Sequence, residues 1–208
     1  MGYHYGTLLG LTVLRRHERS VDRLILGGVL GPSQNGGSFP STVQDQLERV
    51  DALFKVDADV NKLMPDFQGL LRSLFAKLDQ GAVTVAVDDP QTKQKVKVVV
   101  EKSDLQLFTG YSATYSYGIM TLPNFLYPLS RGDWTPLAQW ALGHRRGPIG
   151  SLMGPLMICS SGATAERKRR IESESKQPFL AGNAANTGAT ELCEAIRSHR
   201  KRPRKKLP

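Results

Sequence analysis

The residues best placed to do chemistry stand at the start of the chain: Gly2-Tyr3-His4-Tyr5-Gly6. Their spacing is that of the nucleophile elbow, Gly-x-Ser-x-Gly, in which a strand runs into a sharp turn, lifts a nucleophile and leaves as a helix. Gly2 and Gly6 suit such a turn because its backbone is strained and crowded. The chemistry it serves is acyl transfer. A small hydroxyl, deprotonated by a separate histidine, attacks a carbonyl carbon while two backbone NH groups face the oxyanion. His4 stands where that hydroxyl should be. An imidazole is larger, and without serine there is no alkoxide, so His4 is read as an inert occupant of the nucleophile position. An acyl-imidazole route would still need oxyanion donors and a positioned water. Tyr5, the next residue, keeps a backbone NH that could supply half of an oxyanion hole.

The other polar residues do not complete a triad. His17 reads as a surface or helix-capping residue, His144 as a loop residue and His199 as part of the C-terminal tail. Asp22, Asp104 and Asp133 have ordinary explanations as turn or cap residues. No His, Cys, Asp and Glu cluster has metal-site spacing and no phosphate-binding glycine loop occurs, so no metal or cofactor is expected. Cys159 and Cys193 are the only cysteines, which permits a single intramolecular pairing. As thiols they would be small buried hydrophobes; as a disulfide they would close a loop of about 33 residues, worth about 3 to 4 kcal/mol.

Three elements must position the elbow. Thr7 to Leu14 form a mostly apolar run closed by Arg15, Arg16 and His17, the cations that suit a helix C-terminus. Val21-Asp22-Arg23-Leu24-Ile25-Leu26-Gly27-Gly28-Val29 then reads as a buried parallel strand and a glycine turn. The order of elbow, helix, Arg-His, Val-Asp-Arg-Leu-Ile-Leu, Gly and Val resembles the α/β-hydrolase superfamily. Within it, the chain is similar to the proline-iminopeptidase and tripeptidyl-aminopeptidase-like serine hydrolases, from about Gly2 to Ile196. The resemblance continues through a long helical insertion to Met157-Ile158-Cys159-Ser160 and Cys193, which match a cysteine pair in the lid of secreted relatives.

The fold expected from this is α/β: a partial α/β-hydrolase core over 1–31 (elbow, helix and one strand), a mainly helical lid with a β-hairpin over 32–196, and a basic tail over 197–208. Gly31 to Ser38 read as a loop. Ser41 or Thr42 should cap a helix carrying Val43, Leu47, Val50 and Leu53/Phe54, and a second should begin near Pro65 and carry Phe67, Leu70, Leu71, Leu74, Phe75 and Leu78. Alternating Val83, Val85 and Val87, a turn-rich Asp88 to Thr92, then Val96, Val98 and Val100 predict a hairpin. Further helices are expected over Leu105 to Tyr117, Leu122 to Leu129, Trp134 to Leu142, Ala165 to Lys176 and Glu191 to Ile196. Phe108, Tyr111, Tyr115, Tyr117, Phe125, Tyr127, Trp134 and Trp140 read as packing between lid helices; the resemblance alternatively implies a substrate entrance.

Composition is that of a globular protein, 40% hydrophobic and 23% charged. No apolar run is long enough to span a membrane and no signal-peptide pattern follows Met1, which makes the cytoplasm the default location. The net charge of +9 is concentrated: Arg197, Arg200, Lys201, Arg202, Arg204, Lys205 and Lys206 are seven cations in the last twelve residues. That tail can be read as a binding arm, a solvated terminus or a peptide appended by a shifted frame; nucleic acid is not the favoured partner. In the resembled family the triad acid and base lie beyond the lid, and one oxyanion donor lies upstream of the elbow. The chain is therefore expected to be a truncated or degenerate relative, inactive as written, of enzymes that cleave peptides or small amides and esters through an acyl-enzyme. A non-catalytic ligand- or peptide-binding module with a basic tail is the alternative. With one core strand, apolar surface on Leu24-Ile25-Leu26 and on Leu8, Leu11 and Leu14 should stay exposed and favour self-association.

Overall fold

Helical periodicity and one run of alternating valines organise most of the chain. The computed structural model describes residues 1–31, 39–146, 153–161, 163–177 and 193–194. The fold is mixed α/β, mostly helical, with two small two-stranded sheets among the described residues. It divides into two compact units, the first of Met1–Gly37, Ser151–Glu172 and Asn186–Pro208, the second of Ser38–Gly150 and Ser173–Ala185. The tail over 197–208 and most of Glu191 to Ile196 lie outside the described residues, as does the loop after Gly31.

In the first unit, β1 (Gly2–Tyr3) leads through His4 into α1 (Tyr5–Arg16), and a 3-10 turn at Glu18–Ser20 returns the chain to β2 (Leu26–Gly27). β2 runs parallel to β1, with Gly2 opposite Leu26 and Tyr3 opposite Gly27. Two corrections to the sequence reading follow. The unit has two strands instead of one, and the strand expected over Val21 to Val29 pairs at two residues only. A strand extends as far as its partner can hydrogen-bond, and β1 is two residues long; Ile25 consequently stays 57% exposed instead of buried. Two further helices are α8 (Met153–Ser161) and α9 (Ala165–Glu174), once α2 to α7 of the second unit are counted. Ser151–Glu172, read from sequence as part of the insertion, groups with the elbow. Cys159 and Cys193 are joined by a disulfide, both within that first unit.

The second unit begins with α2 (Pro40–Val56), whose Val43, Leu47, Val50 and Phe54 are buried at spacings of three and four. Its cap is Phe39 instead of Ser41 or Thr42, because Pro40 occupies the first turn, where its missing NH costs nothing. A short α3 (Ala58–Leu63), which the sequence reading did not anticipate, is capped by Asp57, whose carboxylate accepts from the Asp59 and Val60 NH groups. α4 (Phe67–Asp79) follows its own cap, Asp66, and buries Phe67, Leu71, Leu74, Phe75 and Leu78. β3 (Val83–Asp88) and β4 (Lys95–Val100) pair antiparallel, Val85 opposite Val98.

The stretch expected as one helix over Leu105 to Tyr117 is broken. α5 (Lys102–Ser112) ends, and α6 (Ser116–Ser130) begins after a three-residue turn. α6 is longer than the short helix expected at Leu122 to Leu129 and carries Pro123 and Pro128 inside it. Prolines there each remove one ladder hydrogen bond; burial of Leu122, Pro123, Leu126 and Leu129 holds the helix together. α7 (Thr135–Arg146) lies against both hairpin strands. Helices α2 and α4 to α7 and the hairpin share one apolar core. Among the described residues, no helix is long and apolar enough to cross a membrane.

Candidate functional site

The elbow is built from its backbone outward. Gly2 donates to the Ile25 carbonyl (2.9 Å) and His4 to the Gly27 carbonyl (3.0 Å), so both ends of the turn are registered on β2. Between them the chain reverses sharply: His4 has φ 52° and ψ −122°, a region that side-chain-bearing residues rarely adopt. α1 starts at the next residue. This is the strand, strained turn and helix that the Gly-x-x-x-Gly spacing predicts.

The two glycines are not equivalent. A Cβ on Gly2 would lie 2.5 Å from the Gly6 carbonyl oxygen and 2.8 Å from its carbon, so any side chain there would push the first helical turn off the strand. A Cβ on Gly6 would meet nothing within 4 Å. Gly6 matters here for the carbonyl it presents to Gly2.

Thr7, which sequence reasoning passed over as part of an apolar run, is fully buried and ties the turn shut. Its hydroxyl donates to the His4 carbonyl (2.6 Å) and accepts the Leu30 NH (2.9 Å), while its own NH also donates to His4 (2.9 Å). A hydroxyl three residues after the turn centre was the signal available. The side chain of His4 is exposed and makes no capping bond to α1. The Tyr5 NH, at the first helical position, precedes the intrahelical ladder, so it is among the donors a helix leaves free for an oxyanion. The Tyr5 hydroxyl lies 3.2 Å from the Ser161 hydroxyl, which donates to the Met157 carbonyl (2.8 Å). Ser161 ends α8, two residues beyond Cys159, and the disulfide therefore anchors the element that touches Tyr5. The sulfurs of Cys159 and Cys193 close a separation of 34 residues.

The other polar residues considered from sequence go elsewhere. His17 ends α1, its NH donating to the Val13 carbonyl (2.7 Å). His144 is not in a loop: it lies in the last turn of α7, stacked on Trp140 with ring centroids 4.9 Å apart. The helix runs past Gly143 because its C-terminal residues are held. Arg145 donates to the Val99 carbonyl (2.8 Å) and Asp104 (2.6 Å), and Arg146 pairs with the buried carboxylate of Asp89. Asp104 also accepts from the Glu101 NH in the capping box of α5. Asp133 accepts from the Thr135 NH at the start of α7; that turn holds its carboxyl below the usual range. Asp22 is exposed, and His199 lies outside the described residues.

The aromatic group divides by chemistry. Phe108, Phe125, Trp134 and Trp140 join the core, with Phe108 stacked on Phe125 at 3.6 Å and edge-on to Trp140 at 5.3 Å. Tyr111, Tyr115, Tyr117 and Tyr127 face outward, Tyr117 79% exposed. Among the described residues, no three His, Cys, Asp or Glu side chains converge to hold a metal ion. No family model, curated protein or solved structure matches the chain.

Proposed function

We propose that the chain carries the nucleophile-elbow unit of an α/β-hydrolase related to the serine aminopeptidases, and that this elbow does not catalyse acyl transfer. The observation that carries the reading is the backbone of His4: a strained residue with φ 52° and ψ −122° set between a parallel strand and a helix N-terminus. Such a turn costs on the order of 1 to 3 kcal/mol and is held only where the surroundings enforce it. Here Thr7 and β2 enforce it. The geometry lifts a side chain into solvent at the end of a helix whose first NH groups can face an anion, which is useful for a serine and idle for an imidazole. In this reading the second unit corresponds to the helical lid of such enzymes, and relatives with serine at the turn hydrolyse peptides or small amides and esters through an acyl-enzyme.

The test is hydrolysis of aminoacyl-naphthylamides and p-nitrophenyl esters by the chain and by His4→Ala. Both are expected at the buffer background. Turnover by the chain that His4→Ala abolishes would overturn the inert assignment.

A second reading, a non-catalytic module that binds an apolar ligand or peptide, rests on one observation: Tyr111, Tyr115, Tyr117 and Met120 are all exposed where α5 turns into α6. Tyrosine rings give large contact area at low entropic cost. Quenching of tyrosine fluorescence by an aromatic peptide, reduced in Tyr115→Ser and Tyr117→Ser, would favour it; no quenching in the parent chain would remove it.

A further inference from the structure

The units differ in charge. The first unit's residue ranges hold 15 Lys and Arg against 6 Asp and Glu; those of the second hold 13 against 13. The whole of the +9 therefore belongs to the unit that contains the elbow. Within it, α1 turns Thr7 and Leu8 inward and leaves Leu9, Val13 and Leu14 exposed. Leu9, Val13 and Arg16 fall at positions i, i+4 and i+7, so one stripe of the helix is aliphatic along its length and cationic at its end. Arg15, Arg19 and Arg23 are exposed nearby in sequence. None of these four arginines forms an ion pair with another described residue.

We propose that the outer face of α1 docks on an anionic lipid surface, with Leu9 and Val13 entering the headgroup boundary and Arg15, Arg16 and Arg19 pairing with lipid phosphates or carboxylates. Charge and apolarity together select this occupant. A second copy would bring the same excess of cations to the same face and be repelled. A nucleic acid would take the arginines but gives aliphatic side chains no stacking or base edge to contact. An anionic leaflet takes both, the acyl boundary receiving the leucine and valine and the headgroups receiving the cations.

The experiment is co-sedimentation of the full chain with phosphatidylcholine vesicles, with and without phosphatidylserine, beside binding to a duplex DNA. Binding should require phosphatidylserine and weaken as salt is raised. The pair Arg15→Gln with Arg16→Gln should lower partitioning about 25-fold, from about fivefold per arginine. Leu9→Ser with Val13→Ser should lower it about tenfold or more, from the apolar surface no longer inserted. These side chains are exposed, so circular dichroism of both variants should match the parent. A third variant lacking residues 197–208 measures what the tail cations add. The proposal is overturned if phosphatidylserine vesicles are not bound, if neither α1 pair changes binding while the tail deletion abolishes it, or if DNA binds as tightly as the vesicles.

Discussion

The lack of a side chain at one residue allows the elbow to exist. Gly2 and Gly6 look alike in the sequence, but the structure loads them differently: the space for a Cβ at position 2 is occupied by the Gly6 carbonyl, while position 6 opens onto nothing within 4 Å. Gly2→Ala should force the first turn of α1 away from β1 and destabilise the first unit by about 1 to 3 kcal/mol, the range for overpacking. Gly6→Ala adds a good helix former to a helical position and should be neutral or stabilising by up to about 1 kcal/mol. Native-state hydrogen exchange at the His4 and Thr7 amides reads the difference locally. Faster exchange in Gly2→Ala and unchanged or slower exchange in Gly6→Ala is the expected result; equal effects would mean that the close approach of Gly2 to Gly6 does not hold the turn. Neither outcome depends on whether the site is active.

Among the elements, the hairpin and its partner helix show how polar groups fix a packing arrangement that the apolar core alone would leave loose. Asp89 sits at the hairpin tip, buried, accepting from the Thr92 hydroxyl (2.6 Å), from Arg146 and from the Gln91 NH (2.9 Å). Those donors, the Thr92 hydroxyl foremost, hold its carboxyl well below the usual carboxylate range. A carboxylate whose folded-state pKa is depressed contributes stability that is complete above its unfolded pKa, near 3.9, and is lost as pH falls through the lower folded value. Asp89→Asn should therefore melt lower than the parent at pH 7, and the gap should shrink steadily as pH falls below about 4. Melting temperatures of both proteins from pH 2 to 7 check this, and a gap independent of pH would assign the effect to packing alone. How much of this was legible in the sequence depends on range. The valine alternation of β3 and β4 and the spacing of Val43, Leu47, Val50 and Phe54 are local patterns, and they locate their elements. α6 was cut short in the reading because Pro123 and Pro128 are local stop signals that burial of Leu122, Leu126 and Leu129 overrides. At the candidate site the glycine spacing located the turn, but Thr7 was invisible as its tie because the Leu30 NH it accepts lies 23 residues away. The length of β2 was likewise set by β1 and not by its own Leu-Ile-Leu.

At the scale of the whole molecule, stability is unevenly supplied. The second unit rests on a continuous apolar core of helices and hairpin. The first has short strands, an exposed Ile25 and a helix with Leu9 and Val13 facing outward, so burial contributes less there. What it has instead is a cross-link: Cys159 on α8 bonded to Cys193. Closing a loop with a separation of 34 residues removes unfolded-state entropy worth about 3.8 kcal/mol. The bond lies in the same unit as the Tyr5 and Ser161 contact, so its loss should loosen α8 and the elbow before the hairpin core. Thermal unfolding with and without a phosphine reductant, and of the double variant Cys159→Ala with Cys193→Ala, tests this. Reduction should lower the unfolding temperature of the first unit, read by exchange at the His4 and Thr7 amides, and change protection at Leu47 and Val98 much less. Equal losses at both sets of amides would mean that the units unfold as one and that the disulfide supports the second unit as much as the first. Unchanged protection at His4 after reduction would mean that β2 and Thr7 alone hold the strained turn.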